Sequence, residues 1–435
     1  MALKVDLEAR RAVAAAVAGN VLEWYDFAVY AYMATVIAAK FFPASDEVTS
    51  LLSTFAAFGI GFVARPLGGI LIGRLGDVRG RKAALVFTIA LMAAGTVAIG
   101  LVPTYQTIGV AAPILVVVAR LVQGFSAGGE WGGSTAFIVE WAPAGRRGLY
   151  GSLQQCSVAG GLLLGSGVAA LVNTFLPVAA ADSWGWRIPF LLGGLLGPVG
   201  LYMRRHIGET PAFRRSRQEA GALLPEVGPG SATSSAQQLP IAPIWLAARA
   251  FGFTVLWTVS YYIVLTYMPT FLQKQVGIAR SQALWATASG LLLMVVATPL
   301  TGLLSDRVGR KPLLLAACIA SLVLPYPLFR LMLSGPPLAT IFVIQLALAF
   351  VIAVFSGPGP AAIAEIFPTR VRSTWMSTGY SLAVTIFGGF APFIATWLIS
   401  STGNPLAPSY YLIAAAAVTL IVILRLEETA GAPLR

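Results

Sequence analysis

The sequence predicts an all-α membrane protein with twelve transmembrane helices, arranged as two pseudo-symmetric bundles of six. Three observations predict this fold class. Hydrophobic residues make up 57% of the 435 residues and charged residues only 11%, whereas soluble domains carry roughly 25% charged residues. Many apolar runs reach the length of about 20 residues that a helix needs to cross a bilayer. Two motifs also occur twice, once in each half of the chain.

The candidate spans are apolar runs bounded by charged residues, proline or glycine. They cover residues 12–39, 51–73, 83–102, 109–139, 149–176 and 187–205, followed by 244–272, 283–304, 312–333, 338–363, 374–399 and 408–424. The stretch between the two groups of six is rich in Gly, Pro, Ser and charge, so it cannot bury a core. We therefore predict an N-terminal bundle over 1–205, a cytoplasmic linker over 206–243 and a C-terminal bundle over 244–435.

Basic residues follow every second span of each half, and this pattern predicts the orientation of the chain. They are Arg74, Arg79, Arg81 and Lys82 after span 2, Arg146 and Arg147 after span 4, Arg307, Arg310 and Lys311 after span 8, and Arg370 and Arg372 after span 10. Because cytoplasmic loops carry an excess of Lys and Arg, we expect a multi-pass protein of the plasma (inner) membrane with both termini in the cytoplasm. The net charge of +12 is thus a topology signal, and we expect no nucleic-acid partner.

The two halves repeat each other. "GRLGDVRGRK" begins at Gly73 and "GLLSDRVGRK" at Gly302, 229 residues later. "EWAPAGRR" begins at Glu140 and is echoed by "EIFPTRVR" from Glu365, 225 residues later. Such duplication is typical of transporters whose substrate site lies between two halves that move against each other.

The repeated charges predict a cytoplasmic gate of ion pairs. In each loop an aspartate is placed to cap the next helix, whose N-terminus is positive, and basic residues lie at the membrane edge. A topology-setting basic turn would account for one copy, but the duplicated spacing favours a gate. Its residues are Asp77, Arg81, Glu140, Asp306, Arg310 and Glu365.

Span 1 carries the first intramembrane charges. Asn20, Glu23, Asp26 and Tyr30 fall on one side of the helix at about 100° per residue. A carboxylate near the bilayer centre costs at least about 2.5–3.5 kcal/mol, so it is usually paired, protonated or functional. We predict that Asp26 and Glu23 couple transport to protons and that Tyr30 lines the substrate site. A structural ion pair remains the alternative, more so for Glu23, which lies nearer the cytoplasmic end.

Span 4 supplies a second polar stripe, formed by Arg120, Gln123, Glu130 and Ser134. An arginine keeps its charge and presents a planar fork suited to carboxylates. We predict that Arg120 holds Asp26 in one state and a substrate carboxylate in another, with Gln123 beside it and Glu130 among the proton-coupling groups. A permanently paired structural arginine is the alternative. Gly124 and Gly128 form a GxxxG that favours close helix packing.

Three further residues are candidates for the substrate site. Arg65 either lines the pathway or extends to the cytoplasmic interface, since it lies about 12 Å before the loop glycine at position 73. Tyr261 and Tyr262 either line the pore or belong to an interfacial aromatic belt.

Enzyme chemistry finds no support in the sequence. His206 is the only histidine, so we expect no histidine-based metal site, and we find no Walker-type phosphate loop. Cys156 and Cys318 lie inside apolar spans and are expected to be buried thiols. We therefore expect no enzyme activity, no metal and no cofactor, and transport driven by a coupling ion, which we expect to be a proton.

With these residues in place, the chain resembles the major facilitator superfamily through its paired loop motifs and twelve-span layout. Within it, "GNVLEWYDF", "GFVARPLGG", "ARLVQGFSAGGEWGG" and "WGWRIPFLLGG" resemble the metabolite:proton symporter family, which includes citrate, α-ketoglutarate, shikimate and proline/betaine transporters. The resemblance implies that Asp26 is the coupling carboxylate, that Arg120 is the substrate or coupling arginine, and that Glu23, Arg65 and Glu130 are further signature charges. Val78 stands where the superfamily commonly has an arginine.

The predicted function is proton-coupled uptake, by alternating access, of an organic carboxylate such as citrate, α-ketoglutarate or another di- or tricarboxylate. The ending "EETAGAPLR" is closer to osmolyte carriers, so a proline/betaine symporter is the alternative. A drug:proton antiporter is a weaker alternative, because span 5 lacks the Gly-Pro element of many such proteins. The expected partners are a small organic anion, the coupling ion and the lipid bilayer, and the expected state is a monomer.

Overall fold

The computed structural model describes residues 17, 19–79, 81–128, 130–143, 145–205 and 243–432. No strand occurs among them. The predicted linker over 206–243 lies outside the described residues, apart from its last residue. The first half contains span 1 (19–32 and Ala34–Phe41), span 2 (Glu47–Val63 and Arg65–Arg79), span 3 (Arg81–Leu101), span 4 (Ala111–Ser126 and Glu130–Trp141), span 5 (Arg147–Phe175) and span 6 (Ile188–Arg205).

The second half repeats this series of helices. It contains span 7 (Pro243–Val276, with π-helical stretches at Tyr261–Tyr267 and Leu272–Val276), span 8 (Arg280–Val308), span 9 (Arg310–Val323 and Pro325–Leu333), span 10 (Leu338–Ser356 and Gly359–Glu365), span 11 (Thr369–Thr402, π-helical at Val384–Gly389) and span 12 (Ala407–Leu424). Within the described chain, seven helical stretches are long and apolar enough to cross a membrane by composition alone, and the bent span 9 is an eighth.

The two halves contact each other through a pair of equivalent interfaces. Span 5 packs along span 8, and span 2 packs along span 11. Under the internal repeat, span 2 corresponds to span 8 and span 5 to span 11, so each interface is a copy of the other. Span 4 of the first half also contacts spans 10 and 11 of the second half. The duplication predicted from the motifs thus becomes a pseudo-twofold arrangement of twelve helices.

Glycines allow spans 2 and 4 to approach backbone to backbone, as the GxxxG pattern predicts. A Cβ added at Gly124 would lie 1.5 Å from the Gly61 carbonyl oxygen, and one at Gly68 would lie 1.8 Å from the Phe125 carbonyl oxygen. No real contact is that short, so any side chain at these positions forces the helices apart. This close packing places the polar stripe of span 4 directly against spans 1 and 2.

Replacing Gly124 by alanine is expected to destabilise the protein by about 1–3 kcal/mol, because a well-packed interface must move apart. Gly167 in span 5 is the matched control, since a Cβ there meets nothing within 4 Å; Gly167→Ala should leave stability unchanged or raise it by less than about 1 kcal/mol. Thermal unfolding of the purified, detergent-solubilised variants measures both effects. Equal melting temperatures for the two variants would contradict the packing argument.

Prolines in the second half create carbonyl groups that side chains of the first half fill. A proline within a helix lacks the N–H that would bond to the carbonyl four residues earlier. Pro269 thus leaves the Leu265 carbonyl free, and Tyr32 Oη donates to it at 2.8 Å. Pro299 leaves the Val295 carbonyl free, and Cys156 Sγ donates to it at 3.3 Å. Both bonds cross between the halves.

Span 4 differs from its prediction, because it is two helices and not one. The first ends at Ser126 and the second begins at Glu130. The inference that Arg120 and Ser134 share one helical face assumes an unbroken helix, so it fails beyond Ser126. The glycine pair at 128 and 129 explains the break physically, since consecutive glycines weaken a helix.

Candidate functional site

Asp26 lies in span 1 with only 6% of its surface exposed. A cavity of about 20 Å³ adjoins it, with Glu23, Thr88 and Ser126 among its polar lining residues. This volume holds about one water molecule. Among the described residues nothing hydrogen-bonds to Asp26 Oδ1. The carboxyl therefore lies beside a space from which it could accept a proton, as a coupling group must.

Arg120 is fully buried in the first helix of span 4. Its Nη1 donates to Gln123 Oε1 at 2.8 Å and its Nη2 to the Phe58 carbonyl oxygen at 3.4 Å. The guanidinium also lies over the rings of Phe27, Tyr30 and Phe58, with centroid distances of 5.0, 4.6 and 4.8 Å. Aromatic faces attract a desolvated cation, so the chain holds this charge in place without a carboxylate partner. Its Nε makes no protein hydrogen bond.

Asp26 and Arg120 do not form an ion pair, although both are described. A chain of polar groups joins them instead. Gln123 Oε1 accepts from Arg120, and Gln123 Nε2 donates to Thr96 Oγ1 at 2.7 Å. Thr96 in turn lies beside the Asp26 carboxyl. The structure thus shows neither the predicted direct pairing nor isolated groups, but two charges connected through one amide and one hydroxyl.

Arg65 does not extend to the membrane edge, so one of its two predicted placements is resolved. Only 7% of its surface is exposed. Its guanidinium lies 4.3 Å from the Phe62 ring centroid and 4.8 Å from that of Phe27. Phe27 therefore contacts the guanidinium groups of both Arg65 and Arg120. Arg65 Nε and Nη2 make no hydrogen bond among the described residues, so they could bind an anion.

Other residues of the span 1 stripe face neighbouring helices. Asn20 Nδ2 donates to Ser157 Oγ of span 5 at 2.7 Å. Tyr30 Oη donates to the Thr54 carbonyl oxygen of span 2 at 3.1 Å, and the Tyr30 ring lies under Arg120. The stripe therefore looks into protein, as predicted, but its members contact three different helices.

Tyr261 and Tyr262 lie at the start of the π-helical stretch of span 7, and both are buried. An interfacial aromatic belt would leave them at the membrane edge, so their burial agrees with the pore-lining placement. Tyr262 packs edge-on against the rings of Phe58 and Phe62, which hold the two arginines. Neither hydroxyl has a described partner, and π-helical stretches are frequent at functional sites.

Three more rings meet between the halves, and the sequence analysis does not identify them. We call Trp131 of span 4, Trp257 of span 7 and Tyr380 of span 11 the ring cluster. Trp131 and Tyr380 stack face to face, with centroids 3.4 Å apart and planes within 3°. Trp257 meets each of them edge-on, at 6.0 and 6.4 Å. Helical periodicity within one span cannot reveal a cluster whose members come from three spans.

The predicted gate forms at the end of the molecule that carries the basic loops, here called the basic end. Glu140 of span 4 accepts a 2.7 Å hydrogen bond from Arg372 Nη1 of span 11. Arg147 Nη1 of span 5 lies 3.9 Å from Glu365 Oε1 of span 10. The spacing of 225 residues relates Glu140 to Glu365 and Arg147 to Arg372. The two pairs are therefore copies, in which the acid of each half meets the arginine of the other.

Asp306 caps a different helix from the one predicted. Its Oδ1 and Oδ2 accept from the Gly148 and Leu149 N–H groups at 2.8 and 2.9 Å, and Oδ1 also accepts from Arg310 Nη1. These N–H groups begin span 5 of the other half, not span 9. The reason is the packing of span 8 along span 5, which brings the last turn of one helix to the first turn of the other. The side chains of Asp77, Arg81 and Glu130 lie outside the described residues.

The C-terminal tail, residues 425–432, supplies the cap that span 9 needs. Glu428 accepts from the backbone N–H groups of Arg310 and Lys311, each at 2.9 Å. Burial alone would raise the pKa of Glu428, but backbone N–H groups, led by that of Arg310, hold it below its usual value. Thr429 Oγ1 donates to Glu365 Oε2. The segment singled out only for its resemblance thus contributes to the gate.

The halves also meet at the opposite end. Lys274 Nζ donates to Glu47, and Arg280 Nη1 lies 2.7 Å from Asp182 Oδ1. In both pairs one residue belongs to each half. The sequence analysis assigns these charges no role, because nothing in the repeat marks them. The described structure is therefore bridged at both ends.

The Glu140–Arg372 pair is expected to hold the basic end closed. Glu140 is 38% exposed, and such pairs contribute up to about 1 kcal/mol, so Glu140→Gln should speed maleimide labelling of Cys156 by up to about fivefold. Cys156 reports on opening because it bonds across the interface between spans 5 and 8. The measurement uses a Cys318→Ala background.

Two further variants test whether the pair itself is responsible. Exchanging the charges, Glu140→Arg with Arg372→Glu, should restore slow labelling in part. Arg425→Ala removes an exposed arginine at the same end and should leave the rate unchanged. Equal acceleration by Arg425→Ala would mean that general surface charge, and not this pair, controls opening.

Comparison with known proteins gives three matches that cover almost the whole chain. A family model described as "Sugar (and other) transporter" matches residues 11–435. The proline/betaine transporter of Escherichia coli (strain K12) is 36% identical over 435 residues, covering 99% of this chain and 86% of the relative. A citrate-proton symporter of Klebsiella pneumoniae is 38% identical over 404 residues, covering 93% of this chain and 88% of the relative.

A solved structure matches the fold at lower identity. The crystal structure of a D-xylose-proton symporter superposes with a TM-score of 0.74 at 20% identity, covering 98% of this chain and 99% of that chain. At this identity the match speaks for the fold alone. It agrees with the twelve-helix, two-bundle arrangement described above.

Proposed function

Because the chain belongs to the sugar (and other) transporter family of the major facilitator superfamily, we propose that it takes up a zwitterionic osmolyte of the proline or betaine type together with protons. Uptake proceeds by alternating access, with the substrate bound between the two halves. The coupling ion is the proton, and no cofactor takes part. The predicted gate lies at the cytoplasmic side, with both chain termini there, and the transporter works as a monomer in the inner membrane.

The observation that carries the proposal is the 36% identity, over 99% of this chain, with a protein named proline/betaine transporter. The sequence analysis predicts an organic carboxylate as the main substrate and the osmolyte as the alternative. The relatives favour the alternative, since the osmolyte transporters align over 98–99% of the chain and the citrate symporters over 93–94%.

The geometry supports binding of a carboxylate group by Arg120. Its Nε has no protein acceptor, and the guanidinium is held by rings instead of an acid. A zwitterion brings one carboxylate to this fixed cation while keeping its own net charge at zero. Asp26 is left to carry the proton, because no carboxylate-to-arginine pair in the described structure occupies it.

A di- or tricarboxylate remains a second candidate because two buried arginines face the same ring. Arg65 and Arg120 both contact Phe27, at 4.8 and 5.0 Å. Two cations in one apolar site suit a substrate with more than one carboxylate. The citrate-proton symporter from Klebsiella pneumoniae, at 38% identity, points the same way.

Uptake into proteoliposomes separates the candidates. Labelled proline, glycine betaine and citrate are each offered with an acidic exterior, and empty liposomes are the control. We expect proline and glycine betaine to accumulate, and a protonophore to abolish the accumulation. Accumulation of citrate alone would select the second candidate, and accumulation that follows a sodium gradient but ignores the pH gradient would reject proton coupling.

A further inference from the structure

We propose that the ring cluster of Trp131, Trp257 and Tyr380 binds the ammonium group of a zwitterionic substrate through cation–π attraction. This inference rests on the proposed function, and it names the part of the site that recognises the positive end of the substrate. Cations bind best over the face of tryptophan, followed by tyrosine and phenylalanine, particularly in desolvated sites. The ring cluster contains the two best of these residues and lies between the halves.

The arrangement of the rings is the first argument. Aromatic pairs prefer offset or edge-to-face contacts at centroid distances of about 4.5–7 Å, because two ring faces are both negative. Trp131 and Tyr380 instead stack face to face at 3.4 Å. An ammonium group between them would meet two negative faces at once. Trp131 belongs to the first half and Tyr380 to the second, so movement of the halves separates the two rings.

The hydrogen bonds of the two indoles are the second argument. Trp257 Nε1 donates to Ser356 Oγ at 3.0 Å, which fixes this ring as a wall. Trp131 Nε1 is buried without a described acceptor. Thr258 Oγ1, next to Trp257 in the chain, is also buried without one. Buried polar atoms without partners are rare in proteins, and their concentration here marks a place where substrate or water completes the hydrogen bonding.

The position of the cluster relative to the arginines is the third argument. Trp257 and Tyr262 are five residues apart in span 7, which is roughly 7 Å along a helix. Tyr262 packs on Phe58 and Phe62, the rings that carry Arg120 and Arg65. The negative end of a zwitterion could therefore bind the arginines while its positive end lies against the ring cluster. A purely anionic substrate would leave the cluster without a charge to bind.

The test compares glycine betaine with 3,3-dimethylbutyrate, which has the same shape and carboxylate but a carbon in place of the quaternary nitrogen. Each compound competes with labelled proline for uptake into proteoliposomes. In the wild type, glycine betaine should compete roughly tenfold better or more, since a desolvated cation–π contact contributes about 2 kcal/mol. Trp131→Leu and Tyr380→Leu should each bring the ratio close to one. Trp131→Phe, which keeps a ring, should retain part of it.

Trp397→Leu is the control, because Trp397 is 51% exposed and lies away from the cluster; its ratio should equal that of the wild type. An unchanged ratio in both leucine variants would overturn the subsite and show that the rings only seal the halves together. A ratio near one in the wild type would overturn it as well.

A second measurement covers leucine variants that fail to fold. Fluorinated tryptophans weaken the negative ring face while keeping the shape of the side chain, so the betaine-to-isostere ratio should fall as fluorine atoms are added. A constant ratio would overturn the subsite. Failure of the proposed function looks different: citrate would then be taken up, and neither proline nor glycine betaine would compete, which rejects the substrate class and the subsite together.

Discussion

Replacing Asp26 by asparagine is expected to abolish proton-driven accumulation while leaving the exchange of labelled for unlabelled substrate intact. Asparagine keeps the size of the side chain but has no proton to bind and release. Accumulation needs that proton, because only its gradient drives substrate uphill. Exchange needs only that the loaded protein alternates between its two faces. The internal substrate concentration should therefore reach, and not exceed, the external one.

The local structure makes this variant informative. Asp26 is 6% exposed beside a cavity of about 20 Å³, and its Oδ1 has no described partner. A structural carboxylate would instead be held by several donors. Asp46→Asn is the matched control, since Asp46 is an exposed acid that caps span 2 and asparagine caps helices equally well. Full accumulation by Asp26→Asn would remove Asp26 from the coupling mechanism.

Replacing Arg120 by lysine is expected to lower the initial rate of uptake by roughly a hundredfold or more, because each lost bond to a charged group costs about 1.5–3 kcal/mol. Lysine keeps the charge but not the planar fork. One ammonium group cannot reach Gln123, the Phe58 carbonyl and a substrate carboxylate together. The variant thus separates geometry from charge. Initial rates in proteoliposomes and calorimetric titration of the purified protein with substrate measure the loss.

Arg330→Lys is the matched control, because Arg330 lies on the exposed side of span 9 and should tolerate the change. The thermal stability of Arg120→Lys must be measured beside its transport. A folded variant that transports at the wild-type rate would make Arg120 a structural residue, which is the alternative reading of its sequence. A folded variant that binds proline normally but does not transport would assign Arg120 to coupling alone.

The sequence by itself determined the twelve spans, the duplication and the residues whose charges lie inside the membrane. These features depend on local free energies, since hydropathy and the cost of burying a charge belong to each segment separately. The repeat even contained the reciprocal gate: the spacing that relates Glu140 to Glu365 also relates Arg147 to Arg372. The sequence analysis used those arginines only for topology and so missed their partners.

Only the tertiary structure decided which groups meet. Asp26 and Arg120 are connected through Gln123 and Thr96 instead of pairing, and Asp306 caps span 5 instead of span 9. The ring cluster brings together side chains from three spans. Each of these contacts joins segments of the chain whose separation in space depends on how whole helices pack. Helical periodicity fixes the face on which a residue lies, but the packing of the two halves selects what that face touches.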